Sequence, residues 1–246
     1  MLEGKNIVIT GCLQGIGKET MTMFAQNGAN IIACAYQHND RFEYECDQLA
    51  AQNSVEIIPV YFDMNDNDAV KGAAKEIVSL KKEIHGLVNI AGINRDAYFG
   101  MLSYQNLLDT FQVNVFSQIL FTQYIVRWMQ RKNTKGSIVF TSSSTALFGS
   151  GGQVVYGASK AAVIGAMRSM AIELGKDGIR VNAVCPGVIQ SPMTAQLDES
   201  TIRDREHKID LYRIGNGEEV SSLFMFLVSD LASHVTGQVI RVDGGM

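Results

Sequence analysis

Two residues that can exchange protons lie four positions apart in the run YGASK, Tyr156 to Lys160. Residues with this spacing share one face of an α-helix, so the two side chains would stand close together. A free phenol has a pKa of about 10, which is poorly matched to proton transfer near neutrality. A neighbouring ammonium favours the phenolate, and we therefore expect Lys160 to lower the pKa of Tyr156. The alternative is packing alone, since the small residues between them allow close helix contact.

A glycine-rich turn, TGCLQGIG, follows the first apolar run and precedes a segment of helical periodicity that ends at Gly28. Gly11, Gly15 and Gly17 let the backbone turn sharply and approach a pyrophosphate, whose charge would face the amides at the start of the helix. The spacing G-x-x-x-G-x-G differs from the common G-x-G-x-x-G fingerprint. The strand before and the helix after favour a dinucleotide site, with a purely structural tight turn as the alternative.

Seven short apolar runs supply the strands that must position these motifs. Continuous Val/Ile runs are typical of strands buried on both faces, and their alternation with helical segments indicates βαβ units. The sequence therefore predicts an α/β fold, a doubly wound, Rossmann-like parallel sheet of about seven strands with helices on both faces. The runs are 6–10, 30–35, 55–62, 86–92, 136–142, 179–185 and 237–242.

The chain of 246 residues, with 46% hydrophobic and 19% charged residues, fits one compact domain spanning 1–246. Two connections are long, 93–103 and 186–215, and both follow strands. Ligands of open α/β sheets bind beyond the carboxyl ends of the strands. We expect the segment around 186–215 to be a loop that covers the substrate.

Composition also bears on partners and compartment. The formal net charge of −4 gives no reason to expect nucleic acid or an anionic membrane as a partner. No apolar run approaches the ~20 residues of a membrane span, and no basic leader precedes the first apolar run. A cytoplasmic protein is expected.

No metal site is expected. The four cysteines form no C-x-x-C pair, so we interpret them as buried free thiols. The four histidines fall outside every motif, and we interpret them as surface residues. They are Cys12, Cys34, Cys46 and Cys185, and His38, His85, His207 and His234.

The order of the motifs resembles that of the short-chain dehydrogenase/reductase family along nearly the whole chain. TGCLQGIG is similar to the family's T-G-x-x-x-G-I-G loop and YGASK to its Y-x-x-x-K. Further similarities are VNIAG (88–92) to an N-N-A-G turn, QVN (112–114) to a helix asparagine, SSS (142–144) to a serine strand end, and VCPGVIQS (184–191) to a P-G nicotinamide loop.

The resemblance implies four catalytic residues. Tyr156 would be the acid/base at the oxygen of the reacting carbon, and Lys160 would favour its phenolate and hold the nicotinamide ribose. Ser143, thirteen residues before Tyr156, would orient the substrate oxygen. Asn114 would hold, through its backbone carbonyl, a water that links Lys160 to solvent. By itself, an asparagine in an apolar helix is equally well explained as a satisfied core polar group.

The resemblance also implies the cofactor contacts. No acid stands at Ala35 or Tyr36, where a partner of the ribose 2′-OH would lie, which favours NADP(H) with His38 or Arg41 near the 2′-phosphate. Gln14, where many NADP-using relatives carry arginine, keeps NAD(H) as the alternative. Asp63 would lie near the adenine, or else form a turn. The expected contacts are Gly11, Leu13, Gln14, Gly15, Ile16, Gly17, Tyr36, Asp63, Met64, Asn89, Ala91, Gly92, Tyr156, Lys160, Pro186, Gly187, Ile189 and Ser191.

Details within the family are most similar to 3-oxoacyl-[acyl-carrier-protein] reductases of fatty acid biosynthesis. GINRD (92–96) is similar to their G-I-T-R-D, and GGQ (151–153) and the ending VDGGM also match. The implied reaction is reduction of a 3-oxoacyl thioester of acyl carrier protein or CoA. Asp177 stands where those enzymes use an arginine to grip the carrier, and the candidate substitutes are Arg131, Lys132, Lys135 and Lys176.

Two other functions stay open at this point: an NAD(H)-linked dehydrogenase of a small sugar, polyol or other alcohol, and a non-catalytic dinucleotide-sensing protein. Asn114, Ser143, Tyr156 and Lys160 together favour an enzyme over the second. The resemblance further implies a homotetramer built on the helices that carry Asn114 and Tyr156.

Overall fold

The computed structural model describes residues 1–190 and 199–246. In these residues seven strands form one parallel sheet, β1 (Asn6–Thr10), β2 (Asn30–Ala35), β3 (Ile57–Tyr61), β4 (Gly86–Asn89), β5 (Gly136–Thr141), β6 (Ile179–Pro186) and β7 (Val239–Val242). Hydrogen bonds join them in the order β3-β2-β1-β4-β5-β6-β7. The predicted fold class is confirmed.

Among the strands that are shorter than their apolar runs, β4 bears on the cleft. The fourth apolar run was predicted as a strand over 86–92, whereas β4 ends at Asn89. The hydroxyl of Thr10 accepts hydrogen bonds from the backbone N–H groups of Ile90 and Ala91, at 3.0 and 3.1 Å. These bonds replace the strand ladder and turn the chain over the end of β1, which brings Gly92 toward Lys160.

The helices are α1 (Gly15–Gln26), α2 (Asp40–Asn53), α3 (Asn67–Ser79), α4 (Tyr104–Phe111), α5 (Ser117–Lys132), α6 (Thr145–Phe148), α7 (Val154–Leu174), α8 (Glu199–Glu206) and α9 (Gly217–Val228). A π-helical segment, Gln112–Phe116, joins α4 to α5 without a break. Of the helices in the described part of the chain, none is both long enough and apolar enough to cross a membrane.

The core consists of two layers, one on each face of the sheet. Val8 of β1 belongs to the layer formed with α3, α5 and α7, whereas Ile7 and Ile9 pack in the layer with α1, α2 and α9. Successive side chains of a strand point to opposite faces, so a strand covered on both sides needs apolar residues throughout. This double burial is the physical reason for the continuous apolar runs of the sequence.

The sheet order places β1 between β2 and β4, so the chain winds away from β1 in both directions. At such a switch point the loops after neighbouring strands diverge and leave a crevice beyond their carboxyl ends. The segments after β1, β4, β5 and β6 all reach this edge, and they carry the motifs found in the sequence.

Candidate active site

A cleft of about 900 Å³ opens at the carboxyl edge of the sheet. Most of the residues predicted for the site line this cleft. They are Gly11, Leu13, Gln14, Gly15, Ile16, Gly17, Tyr36, Asp63, Met64, Ala91, Gly92, Ser143, Tyr156, Lys160, Pro186, Gly187 and Ile189. Asn89 and Asn114 lie outside its lining, and Ser191 lies outside the described residues.

The glycine turn at the start of α1 has no room for a side chain at Gly11 or at Gly17. Gly11 has φ +80°, and a Cβ there would lie 3.0 Å from the Cα of Ala91. A Cβ on Gly17 would overlap the carbonyl oxygen of Gly11. Gln14 makes no side-chain capping bond, whereas Asn39, Asp66, Ser103 and Asn216 cap their helices. The uncapped amides in a turn built on Gly11 and Gly17 fit a dinucleotide pyrophosphate.

Asn114 ties three segments together from the π-helical turn. Its Oδ1 accepts from the N–H of Ile93 at 2.8 Å, and its Nδ2 donates to the carbonyl of Ile93 and to the Ser159 hydroxyl, at 2.9 and 3.0 Å. A Cβ on Gly92 would lie 3.2 Å from Lys160 Nζ. The side chain of Asn114 is thus a satisfied buried group that fixes the loop after β4 against α7. The role of its carbonyl in a water relay stays a prediction.

Lys160 is 2% exposed and directs its ammonium at the sheet edge. Nζ donates to the carbonyl of Thr141 at 2.8 Å, and the Ser142 hydroxyl donates to the carbonyl of Lys160 at 2.8 Å. Burial lowers the pKa of Lys160 to about 8. Nζ lies 5.8 Å from the centroid of the Tyr156 ring. The ammonium therefore stands beside the phenol ring, already anchored by β5.

The pKa of Tyr156 is raised rather than lowered. Burial is the largest cause and raises it, a hydrogen bond from Ser143 lowers it, and the charge of Asp96 raises it further. The net effect is the opposite of the expected lowering, because desolvation of the phenolate outweighs the hydrogen bond from Ser143; the expected effect of Lys160 together with the cofactor ring stays a prediction. Tyr156 is consequently protonated near neutral pH, in the form that donates a proton.

Two predicted cofactor contacts make structural hydrogen bonds. The Nδ2 of Asn89, which is buried in β4, donates to the Thr122 hydroxyl of α5 at 3.1 Å. The Oδ1 of Asp63 accepts from the N–H of Asn65 at 2.7 Å, so the carboxylate forms a turn after β3 while it also lines the cleft.

The end of β2 carries no acid toward the cleft. Tyr36 lines the cleft and is 61% exposed. His38 lies 3.2 Å from a carboxylate oxygen of Glu43, and Arg41 pairs with Glu45 at 3.1 Å. The two side chains expected near a 2′-phosphate thus contact carboxylates of α2, and neither lines the cleft.

Several polar residues of the cleft lining were missed, among them Gln153, Arg205 and Lys208. Gln153 accepts from the Thr145 hydroxyl at 3.0 Å and donates to Asp96 at 3.3 Å. Its signal was present in the run GGQ, three residues before Tyr156. The other two lie in the charged segment 186–215, which follows no pattern that would have distinguished them from surface residues.

Together, the cradle for a pyrophosphate and the proton donor beside a buried ammonium define an NAD(P)-dependent oxidoreductase that acts on CH–OH groups. Residues 11–246 match the sequence model of a family described as "Enoyl-(Acyl carrier protein) reductase". The chain belongs to the short-chain dehydrogenase/reductase family, as its motifs predicted.

The relatives of this chain include several reductases. The chain is 40% identical to the 3-oxoacyl-[acyl-carrier-protein] reductase FabG of Thermotoga maritima, over 100% of this chain and 98% of that protein. It is 32% identical to an acetoacetyl-CoA reductase of Acinetobacter sp., over 100% of this chain and 99% of that protein. The chain also aligns with the solved structure of a putative NAD(P)-dependent gluconate 5-dehydrogenase from Beutenbergia cavernae, which has bound NADP. The TM-score is 0.93 at 30% identity, and the alignment covers 99% of this chain and 97% of that one.

Proposed function

We propose that this enzyme reduces 3-oxoacyl thioesters to 3-hydroxyacyl thioesters with NADPH. The observation that carries the proposal is the pair of hydroxyls, Ser143 and Tyr156, which both line the cleft and lie close enough together for Ser143 to lower the pKa of Tyr156. Two hydroxyls that converge on one point match the two lone pairs of a carbonyl oxygen. The full-length similarity to a FabG and to an acetoacetyl-CoA reductase supports the thioester.

The reaction adds a hydride to carbon 3 and a proton to its oxygen. NADPH supplies the hydride when bound. The Ser143 hydroxyl holds the ketone oxygen, and Tyr156, protonated near neutral pH, donates its proton to that oxygen as negative charge develops there. Lys160 then stands beside the resulting phenolate and stabilises it. Asn114 keeps the loop after β4 in register with the helix that carries Tyr156 and Lys160.

We assign the cofactor contacts to the predicted residues that line the cleft. Gly11 to Gly17 would hold the pyrophosphate, Tyr36 and Asp63 the adenosine end, and Gly92, Lys160 and Pro186 to Ile189 the nicotinamide end. The preference for NADP(H) follows from Ala35 and Tyr36, which leave the end of β2 without a carboxylate that would repel a 2′-phosphate. The NADP in the Beutenbergia cavernae structure supports the same choice.

Association of this chain with copies of itself is part of the proposal. The segment 98–108 and the π-helical turn expose Tyr98, Phe99, Met101, Tyr104 and Phe116, each more than half exposed. Exposed apolar area of this extent favours association. We propose that the protein is a cytoplasmic homotetramer. Sedimentation experiments should then give a mass of about four times that of one chain. The mass of a single chain would contradict the tetramer.

The experiment that tests the function compares kcat/KM for acetoacetyl-CoA and for an acetoacetyl carrier protein, each with NADPH and with NADH. We expect turnover of both thioesters, with NADPH preferred. Turnover limited to NADH would contradict the cofactor assignment, and absence of turnover with every combination would contradict the function.

A second candidate activity is NADP-linked oxidation of a sugar acid, which the likeness to the putative gluconate 5-dehydrogenase favours. It predicts reduction of NADP⁺ on addition of gluconate at a kcat/KM above that for acetoacetyl-CoA. The reverse ranking would favour thioester reduction.

A further inference from the structure

The charges that line the cleft are unevenly distributed. Among the described residues of the lining, the charged side chains are Asp63, Lys160, Arg205 and Lys208. Lys160 is buried and bonded to Thr141, and Asp63 lies after β3, at the far edge of the sheet order. Arg205 and Lys208 form no ion pair with any described residue. The cleft therefore has two cations with no partner of their own in that part of the chain.

The turn that follows these two cations packs against the segment at the Phe148 end of the cleft. Leu211 donates its N–H to the carbonyl of Gly244 at 3.0 Å, which joins the turn after α8 to the turn at 243–246. Arg241 in turn stacks on the Phe148 ring at 4.7 Å and donates to the carbonyl of Met246. Phe148 and Met246 both line the cleft. The turn that follows Arg205 and Lys208 is thus linked to the segment that follows Ser143, whereas the pyrophosphate cradle follows β1.

The chemistry of a pantetheine thioester fits this arrangement. Its thioester must reach Ser143 and Tyr156, while its phosphate lies at the other end of the arm and must remain near the surface. Arg205 is half-buried and Lys208 is exposed, as expected for groups at the mouth of the cleft. A guanidinium with an adjacent ammonium is well suited to a phosphate, which accepts charge-assisted hydrogen bonds from both.

The cations predicted from the sequence for carrier docking lie elsewhere. Arg131 and Lys132 stack on Trp128 at the end of α5, with centroid distances of 6.0 and 5.0 Å. Lys135 and Lys176 precede β5 and β6. Because the strands are parallel, all four lie at the amino edge of the sheet, opposite the cleft of this chain.

We propose that Arg205 and Lys208 form a phosphate-binding site at the mouth of the cleft, and that this site holds the phosphate of the pantetheine arm of the thioester substrate. The inference rests on the proposed function and names the feature by which the enzyme recognises its substrate. It makes the phosphate a determinant of specificity separate from the reacting ketone.

The test compares two thioesters that share the same reacting group. Acetoacetyl-CoA carries phosphates, whereas the acetoacetyl thioester of N-acetylcysteamine carries none. For the double variant Arg205→Gln, Lys208→Gln, we expect the ratio of kcat/KM for the CoA thioester to that for the short thioester to fall about tenfold. Added salt should lower the same ratio in the unaltered enzyme, because it screens an exposed ionic contact.

The matched control removes two charges at exposed lysines far from the cleft, Lys75→Gln with Lys176→Gln, and should leave the ratio unchanged. An equal loss with both thioesters, or no loss with either, would overturn the inference while the function stands. If the double variant instead showed a selective rise in the KM for NADPH, the two cations would bind the cofactor, and this result would also overturn the inference. Failure of the unaltered enzyme to reduce either thioester would contradict the proposed function itself.

Discussion

Tyr156 stays protonated near neutral pH, because the pKa of a phenol is already about 10 and burial raises the pKa of this one further. A phenol in this state is a proton donor, which fits reduction of a ketone. The sequence predicted Tyr156 as the donor and Lys160 as the lysine beside it. It did not supply the balance between desolvation and charge, since this balance depends on residues such as Asp96 that fold against the helix from elsewhere in the chain.

The first prediction concerns this proton. Tyr156→Phe keeps the ring and its packing but removes the donor, so turnover should fall by about 10²- to 10⁴-fold. The affinity for NADPH, measured by fluorescence titration, should change little. Tyr98→Phe, at a tyrosine that is 75% exposed, is the control and should retain full activity. Activity of Tyr156→Phe close to that of the unaltered enzyme would remove the proposed acid.

The second prediction concerns the buried ammonium of Lys160, whose pKa burial lowers from 10.5 to about 8. Between these two values the unfolded chain binds the proton more tightly, so stability rises with pH. The cost of burying the charge is fully present below about pH 8 and is relieved as the pH approaches 10.5. It amounts to about 3 kcal/mol at most.

Denaturant titration from pH 7 to pH 10.5 should therefore show the unaltered enzyme gaining stability relative to Lys160→Met. Lys75→Met, at an exposed lysine, should follow the unaltered enzyme across the same range. Parallel pH profiles for the unaltered enzyme and Lys160→Met would show that burial of Lys160 imposes no such cost.

At the scale of the elements, the strands and the glycine turn were predictable because each is encoded by local residues. Continuous Val/Ile runs and the placement of Gly11 and Gly17 report double burial and close backbone approach directly. The end of β4 was not predictable, because it is set by a hydroxyl on another strand, Thr10. The structural bond of Asn89 to Thr122 was hidden for the same reason, since its partner comes from a distant helix.

The third prediction concerns the start of α1. In Gly17→Ala the new Cβ would overlap the carbonyl oxygen of Gly11, so the backbone must shift away from the position that holds the pyrophosphate. We expect binding of NADPH to weaken by at least about tenfold, from strain on the order of 1–3 kcal/mol. Titration of Gly17→Ala and of the unaltered enzyme with NADPH measures the two dissociation constants.

Gly72→Ala is the matched control for this variant. A Cβ there meets no atom within 4 Å, and the residue lies inside α3. It should leave NADPH binding unchanged and raise stability by about 0.5–1 kcal/mol through helix propensity. Undiminished NADPH binding by Gly17→Ala would contradict the assignment of the cradle.

The fourth prediction concerns the link between elements at Asn114. Asn114→Ala leaves the N–H and the carbonyl of Ile93 without their partners inside the protein. We expect the free energy of unfolding to fall by about 2–4 kcal/mol. Gln52→Ala, on the exposed face of α2, is the control and should change stability by less than about 0.5 kcal/mol. Stability unchanged in Asn114→Ala would refute the bridging role.

At the scale of the whole molecule, the parallel order of the sheet brings residues from four distant segments to one edge. The cleft is therefore a product of topology, and residues such as Arg205 and Lys208 join it without any local signal in their sequence. Most of the family's motifs were readable because they lie at the end of a strand or near the start of a helix; QVN, in the π-helical segment, is the exception. We expect the residues that select one substrate over another to be those of the cleft lining that lie outside the family's motifs.

The central claim is hydride transfer to carbon 3 of an oxo thioester, with the proton delivered to oxygen. The most direct measurement uses NADPH labelled with deuterium at the transferred position, with acetoacetyl and crotonyl thioesters offered together, and product analysis by mass spectrometry and NMR. We predict a 3-hydroxybutyryl thioester with one deuterium at carbon 3 and unreacted crotonyl thioester. Formation of labelled butyryl thioester instead would show that the enzyme reduces the carbon–carbon double bond and would contradict the account.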